Sequence, residues 1–422
     1  MEKIVSAVPY YYGASKEQSY NIRLIINMKD EINGDMFKNA VKKSMERYPY
    51  FCVKVVTKDE ELFLEENKKD VVVAHTNEPV ALGGDAANEH LLAFSWWENR
   101  FFLDVFHGMA DGAGLMPLVR TVIYYYCMER YDSALSSQGI RLSGEKIPDE
   151  EIIDPYPESV DESIKPVGKY KRKHAFDLRT GGLCTPGNPT WYEILIPEDS
   201  FMKYNQANEA SPAVVAAVLM SRAIAGLHND AKEPIICSMA MNVRKALNAM
   251  QAHHSLVTQL FLEYKDAMKH MRIRDQITCF RGMIILQGQD ENVWQSVRGN
   301  LKINERLGTV PTLQGKRQMI QQIVESCLGY DTFKVSYTGK ANIGASEKYV
   351  KGIDALLDIK DNSILIEMYA VNGKFQLTFI QDWPEDIYLK AFLEQLEKEN
   401  IEYTVSEARP VKVAPIEFCG TH

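Results

Sequence analysis

Cysteine is scarce: seven in 422 residues, with no Cys-x-x-Cys pair. That excludes a disulfide scaffold and a zinc site of ordinary spacing. Their scatter, at 52, 127, 184, 237, 279, 327 and 419, fits inert core thiols in a reducing compartment, so a cytoplasmic location is expected. No apolar run reaches the ~18 residues that a membrane span needs. The N-terminus, MEKIVSAVPYYYGASKEQ, has no basic stretch followed by an apolar core and is not read as a secretory signal. Positive charge is in deficit, 48 Lys and Arg against 57 Asp and Glu for a net charge of −9, so broad attraction to nucleic acid or to anionic membrane is not expected. Several motifs are also missing. Without a G-x-S-x-G elbow, a serine acyl-enzyme is not expected. GMADGAG has the wrong glycine spacing for a dinucleotide loop, and Leu313-Gln314-Gly315-Lys316-Arg317 lacks the rest of a phosphate loop.

What is present is an ordinary globular balance, 45% hydrophobic and 25% charged residues, in a chain long enough for two or three structural units at ~100–200 residues each. The first part alternates strand and helix signals. Residues 20–28 read as a strand, and 35–47 as a helix stopped by Pro49. Residues 51–56 and 61–66 form one hairpin, 91–97 and 101–107 a second. A helix over 115–130 follows, with Pro117 tolerated in its first turn. Residues 132–175 are rich in proline and acids and end in the basic run KYKRKH (169–174), the crossing between halves. That run is either a solvated linker face or a contact for an anionic donor such as the phosphates of coenzyme A, with Lys171 and Arg172 as the contacting cations.

The second part restarts with a strand over 191–196 and a nearly all-apolar helix behind Ser211 and Pro212, the pattern of a helix sandwiched between layers. A buried strand over 234–242, helices near 255–271, 290–306 and 313–328, and a strand over 333–337 follow. SILIEMYAV and KFQLTFI, joined by Asn372-Gly373, spell a type I′ hairpin. A helix over 385–399 and a strand over 401–405 close the chain. Each half starts strand–helix–strand and later runs a hairpin into a helix, so two similar α/β layers with a ligand cleft between them are expected.

The segment that can carry chemistry is Phe-Phe-Leu-Asp-Val-Phe-His (101–107) and the turn behind it. Both faces of the strand are largely apolar, which predicts burial, and His107 stands where the chain leaves the sheet. Gly108, Gly112 and Gly114 let a ligand approach the backbone, and the helix behind them offers free N–H groups. A core histidine, a turn aspartate and corner-making glycines would read the same way by composition. His-x-x-x-Asp-Gly at a strand-to-helix junction is more specific, since it supplies a base, a carboxylate and an approachable backbone together. His253-His254 lacks a following Asp-Gly and is read as part of a polar helix face.

FHGMADGAG resembles the HHxxxDG motif of the coenzyme A-dependent acyltransferase superfamily with the chloramphenicol acetyltransferase fold. That superfamily includes nonribosomal peptide condensation domains, plant BAHD acyltransferases and microbial alcohol O-acetyltransferases. DMFKNAVKKSMERYPYF, SMAMNVRKAL and KVSYTGKANIG resemble further phrases of the family, so the likeness runs over roughly 20–405. It departs at Phe106, where the family has its first histidine, and it lacks the plant DFGWG phrase. Phe106 points away from His107, so packing rather than proton transfer should feel the change.

The resemblance implies a layered α/β fold of two chloramphenicol acetyltransferase-like subdomains, 1–165 with the motif and 166–422, and a tunnel between them. It makes His107 the general base for direct acyl transfer from acyl-CoA to a small alcohol or amine. Asp111 would fix the loop by pairing with an arginine of the second half, for which Arg244 is the candidate. Gly112 and the helix N-terminus would hold the oxyanion, and Ser336 and Asn342 would line the far wall. Arg244 as a surface cation and Ser336 as a strand-end hydroxyl are the plain alternatives. No metal and no permanently bound cofactor are implied, and a monomer is expected. The rivals are a stand-alone condensation enzyme drawing on a carrier-protein thioester, and a catalytically silent binding protein of the same fold.

Overall fold

The computed structural model describes residues 1–168, 170–359 and 363–418; Lys169 of the basic run and Cys419 lie outside the described residues. A five-stranded sheet is ordered Val350–Leu357, Asn21–Met28, Arg100–Phe106, Leu92–Trp97, Val73–His75. A larger sheet is ordered Val257–Tyr264, Ile235–Asn242, Phe333–Lys340, Ile364–Val371, Lys374–Gln381, Thr190–Pro197, Thr404–Val405, with Arg409–Pro410 also on Thr190–Pro197. A small third sheet joins Glu2–Lys3 to the hairpin Val53–Lys58 and Glu61–Glu66.

Alternation explains which face each sheet buries. In Ile364–Val371, Ile364, Ile366, Met368 and Ala370 join the core of helices Pro212–Leu227 and Ile387–Lys398. Leu365 and Tyr369 turn the other way, toward the first half. Helix Pro212–Leu227 is apolar all round because it is covered on all sides; its Val215, Ala217, Val218, Leu219 and Met220 are fully buried. Among the described residues no single helix is long and apolar enough to cross a membrane. Helices Gly34–Met45 and Gly112–Arg130 pack together over the first sheet. The two sheets meet through Ile25 and Phe102 on one side and Trp191, Leu365 and Ile380 on the other. Where the strand interior is polar, it is paired: Arg23 Nη1 donates to both carboxylate oxygens of Asp104 at 2.9 and 2.8 Å. Both residues are buried, and burial still raises the Asp104 carboxyl to about 6 against the pull of that guanidinium.

The chain crosses between the layers more than the sequence signals. Strand Val350–Leu357, unforeseen because Gly352 and Asp354 break its apolar alternation, pairs antiparallel with Asn21–Met28 in the first sheet. The fit is close: a Cβ on Gly352 would lie 1.8 Å from Gln376 Oε1 of the second sheet. The C-terminal stretch also returns, with Ile416 bridging Leu82.

Three other expectations need correction. The helix expected near 255–271 is strand Val257–Tyr264 followed by helix Ile273–Gln287. Its Val, Thr, Phe and Tyr content suits a strand, and pairing along the whole length of Ile235–Asn242 settles it. Helix Glu198–Ala207 was not expected at all. Pro117 lies beyond the first turn, because its helix starts at Gly112 rather than 115; Thr121 Oγ1 donates to the Pro117 carbonyl at 3.0 Å one turn later. The Asn372-Gly373 hairpin forms with positive φ at both residues, 50° and 72°, as a type I′ turn requires.

Candidate active site

Strand Arg100–Phe106 is held centrally between Asn21–Met28 and Leu92–Trp97, and the His107 N–H continues the ladder by donating to the Tyr20 carbonyl at 3.0 Å. The imidazole is therefore carried on a rigid strand end. Phe106 points into the core, edge-on to Tyr11 at 4.9 Å and to Phe418 at 5.2 Å. Its ring fills the space where a Cβ on Gly108 would stand, 2.3 Å away. This position serves packing, its ring turned into the core.

The His107 ring is held from three sides. Tyr10 stacks on it, centroids 5.0 Å apart and planes within 10°. Ser255 Oγ lies 3.3 Å from Nδ1, and the residue's own carbonyl accepts from the ring. With Nδ1 facing Ser255, Nε2 is the ring nitrogen left to meet a substrate. Desolvation lowers the His107 pKa, with the carbonyl and the charge of Asp111 opposing it. Burial pushes the Tyr10 hydroxyl up to about 12, so it stays protonated, and it hydrogen-bonds Ser255.

Asp111 is the N-cap of helix Gly112–Arg130 and is buried. One carboxylate oxygen accepts from the Gly114 N–H and Arg244 Nη2, the other from Arg244 Nη1 and the Leu256 N–H, each at 2.8 Å. Four acceptor positions are thus filled, which leaves Asp111 to shape the loop rather than take a proton. Arg244 is buried too, not a surface cation; it also donates to the carbonyls of Ala252 and His254 at 2.9 and 2.7 Å. This ion pair ties the motif turn of the first half to the 252–256 loop of the second. The approach leaves no room for a side chain at Gly114, where a Cβ would stand 1.9 Å from the His253 carbonyl oxygen.

His253 and His254 sit in that loop, not on a helix face. Their ring centroids lie 4.0 Å apart with the planes tilted by 34°, and burial with neighbouring cationic charge lowers them to about 3 and about 4. They are neutral near pH 7 and serve packing. The loop is backed by Glu151, buried and bidentate to Arg47 at 2.8 and 3.0 Å.

His107, Asp111, Gly112 and Ala113 border a cavity of about 560 Å³ that also touches Tyr10, Ser336, Thr338 and Glu367. Ser336 therefore lines the wall opposite the motif. Asn342 does not: it is exposed in the turn after Phe333–Lys340 and lies away from the cavity. A smaller cavity of about 320 Å³ borders the other side of the turn at Gly108, Met109 and His254. Of the basic run, Arg172 reaches the rim of the larger cavity, its guanidinium 4.9 Å over the Phe261 ring. Lys171 is exposed and lies off the cavity. The run is anchored, since Lys173 pairs with Glu263 at 2.8 Å and Tyr170 stacks on Phe261. Sequence reading missed Tyr10 and Ser255, which carry no motif; only the fold brings residues 10, 107 and 255 together.

No family model and no curated protein matches the chain. Its fold does match solved structures over nearly its whole length. F. graminearum TRI101 complexed with coenzyme A and T-2 mycotoxin superposes with a TM-score of 0.61 at 10% identity, covering 96% of this chain and 99% of that one. Polyketide synthase associated protein 5 from Mycobacterium tuberculosis gives 0.57 at 13% identity, over 94% and 97%. A mutant starter condensation domain of rhizomide synthetase RzmA, in complex with C8-CoA and Leu-SNAC, gives 0.57 at 11% identity, over 94% and 93%. The two-layer architecture is the one those proteins share.

Proposed function

We propose that this protein is an acyltransferase that moves an acyl group directly from an acyl-CoA thioester to a hydroxyl or amine. The observation that carries the reading is a neutral imidazole on a rigid strand end, its Nδ1 facing Ser255, on the wall of a cavity between the two layers. Nε2 of His107 takes the proton from the acceptor as its oxygen or nitrogen attacks the thioester carbon. The carbonyl oxygen gains the charge, the carbon–sulfur bond then breaks, and the proton passes from Nε2 to the leaving thiolate. The N–H groups of Gly112 and Ala113 can hold the oxyanion, because the capped Asp111 side chain and main chain already take those of Gly114 and Leu115. Tyr10 and Ser255 fix the ring. Arg172 at the rim supplies a cation for the donor phosphates.

That two solved structures with this fold hold coenzyme A or an acyl-CoA supports a CoA thioester as donor. Likeness to condensation domains favours a second reading, with the donor on a carrier protein. The two separate in one assay: thiol release from free acyl-CoA with a panel of alcohols and amines, against transfer from a carrier-bound thioester. Turnover with free acyl-CoA that vanishes in folded His107→Ala supports the first reading. An unchanged rate in that variant would remove His107 from the mechanism.

A further inference from the structure

Glu367 is the one residue in the inward row of strand Ile364–Val371 that its packing does not explain. The row reads Leu365, Glu367, Tyr369; Leu365 joins the contact between the sheets and Tyr369 joins the first core. Glu367 between them is 7% exposed and borders the larger cavity. Its register partner on the adjacent parallel strand is Ser336, whose hydroxyl hydrogen-bonds the carboxyl. Among the described residues no cation forms an ion pair with it. Asp111 and Lys334 on the same cavity differ in this respect: Asp111 has Arg244, and Lys334 has Asp331 at 3.6 Å. Of the other deeply buried carboxylates, Asp104, Asp111 and Glu151 face an arginine, and Asp354 accepts from both Asn27 Nδ2 and Thr378 Oγ1 at 3.0 Å. An ionised carboxylate in an apolar wall without a cation is costly, and burial raises Glu367 to about 7, the Ser336 hydroxyl only partly offsetting it.

Resting on the acyl-transfer reading, we infer that Glu367 and Ser336 form a subsite for a protonated amine carried by one of the two substrates, at a fixed distance from the reacting centre. Thr338, beside Gly112, lies two residues further along strand Phe333–Lys340 than Ser336. Two residues, running into the bulge between Tyr337 and Gly339, therefore separate the subsite from the motif turn, at most roughly 7 Å along the strand. A substrate that fits has its cationic nitrogen separated by a few bonds from the hydroxyl that attacks or from the thioester carbonyl. The ammonium replaces the missing counter-charge, and Ser336 orients the carboxylate toward it.

The test uses matched pairs in the full-length protein. In one arm a dimethylamino-alkanol is compared with its isopropyl isostere as acceptor. In the other an ω-amino-acyl-CoA is compared with the methyl-terminated acyl-CoA of the same length. The inference expects the cationic member to be favoured about tenfold in kcat/KM in one arm, with the preference falling toward unity in Glu367→Gln. The arm that responds identifies which substrate bears the amine. Equal treatment of both members in both arms, or a preference that survives Glu367→Gln, overturns it. Binding is read separately by titrating His107→Ala and His107→Ala/Glu367→Gln with the favoured amine, or with each amine in turn where no turnover is seen. Binding lost only with Glu367→Gln, in a protein without turnover, keeps the subsite and refutes the acyl-transfer reading; absence of amine binding to His107→Ala refutes the subsite. If Glu367→Gln does not fold, Ser336→Ala takes its place, with a weakened cation preference expected and an unchanged one counting against the subsite.

Discussion

Strands Leu92–Trp97 and Arg100–Phe106 run through a corner at 107–111 into helix Gly112–Arg130. Strands Ile364–Val371 and Lys374–Gln381 run through a corner of equal length, 382–386, into helix Ile387–Lys398. The second corner is plugged. Trp383 is fully buried against Tyr388 at 5.3 Å, its carbonyl accepts from Thr190 Oγ1 at 2.7 Å and Gln381 Nε2 at 3.0 Å, and Asp382 accepts from Arg179 at 2.8 Å. The first corner has glycine at 108 and, just beyond it, at 112 and 114 where the second has Trp383 and Pro384 among its residues, and it keeps a cavity beside its imidazole. The same backbone plan thus becomes a site or a seam according to side-chain volume and to whether the corner faces the other layer.

Substitutions can break this contrast. His107→Ala should lower transfer by ~10²-fold or more with circular dichroism unchanged, which thiol release measures directly. Asp111→Ala strands the Arg244 guanidinium in the interior and should cost about 3–5 kcal/mol in denaturant unfolding, along with activity; Asp111→Asn, which keeps the helix cap, should cost less. Trp383→Ala should cost a comparable ~3–5 kcal/mol yet leave kcat per folded molecule intact, since its corner borders no substrate. A loss of kcat there would mean that the two corners are coupled. Arg172→Glu should raise the donor KM about tenfold, and Lys171→Glu should not, because only Arg172 reaches the rim. Equal effects would return the run to a general field. The smallest effect is on pH: a lowered His107 pKa means that the neutral base survives below the ordinary ~6.5, so kcat should fall only as pH drops through that lower value. An acid limb centred above 6.5 would contradict the desolvated ring.

Much of this was readable beforehand. His107, Asp111 and Gly112 stand out because a buried-strand pattern ends in three closely spaced glycines, and the type I′ hairpin announces itself in Asn372-Gly373. Arg244 could be named only through resemblance, since nothing local says which arginine crosses 133 positions to a carboxylate. Strand Val350–Leu357 escaped because its polar and glycine positions are explained by the opposing sheet, not by its own period. Val257–Tyr264 reads as helix from the sequence alone because a short apolar run is ambiguous until a partner strand is known. Ser255 and Tyr10 escaped for a similar reason: a serine and a tyrosine acquire a role only from the ring they touch. Asn342 failed in the opposite sense, a motif-like neighbour that the turn after its strand carries to the surface.

Local pattern determined the strand that presents the imidazole, the glycines that open its corner and the hairpins of both halves, because backbone preference and side-chain period act over a few residues. Tertiary structure alone decided what surrounds that imidazole: the stacked Tyr10, Ser255 on Nδ1, the Asp111–Arg244 tie and the uncompensated Glu367 opposite. Those depend on which faces of two distant layers meet, and desolvation and charge pairing act through space rather than along the chain.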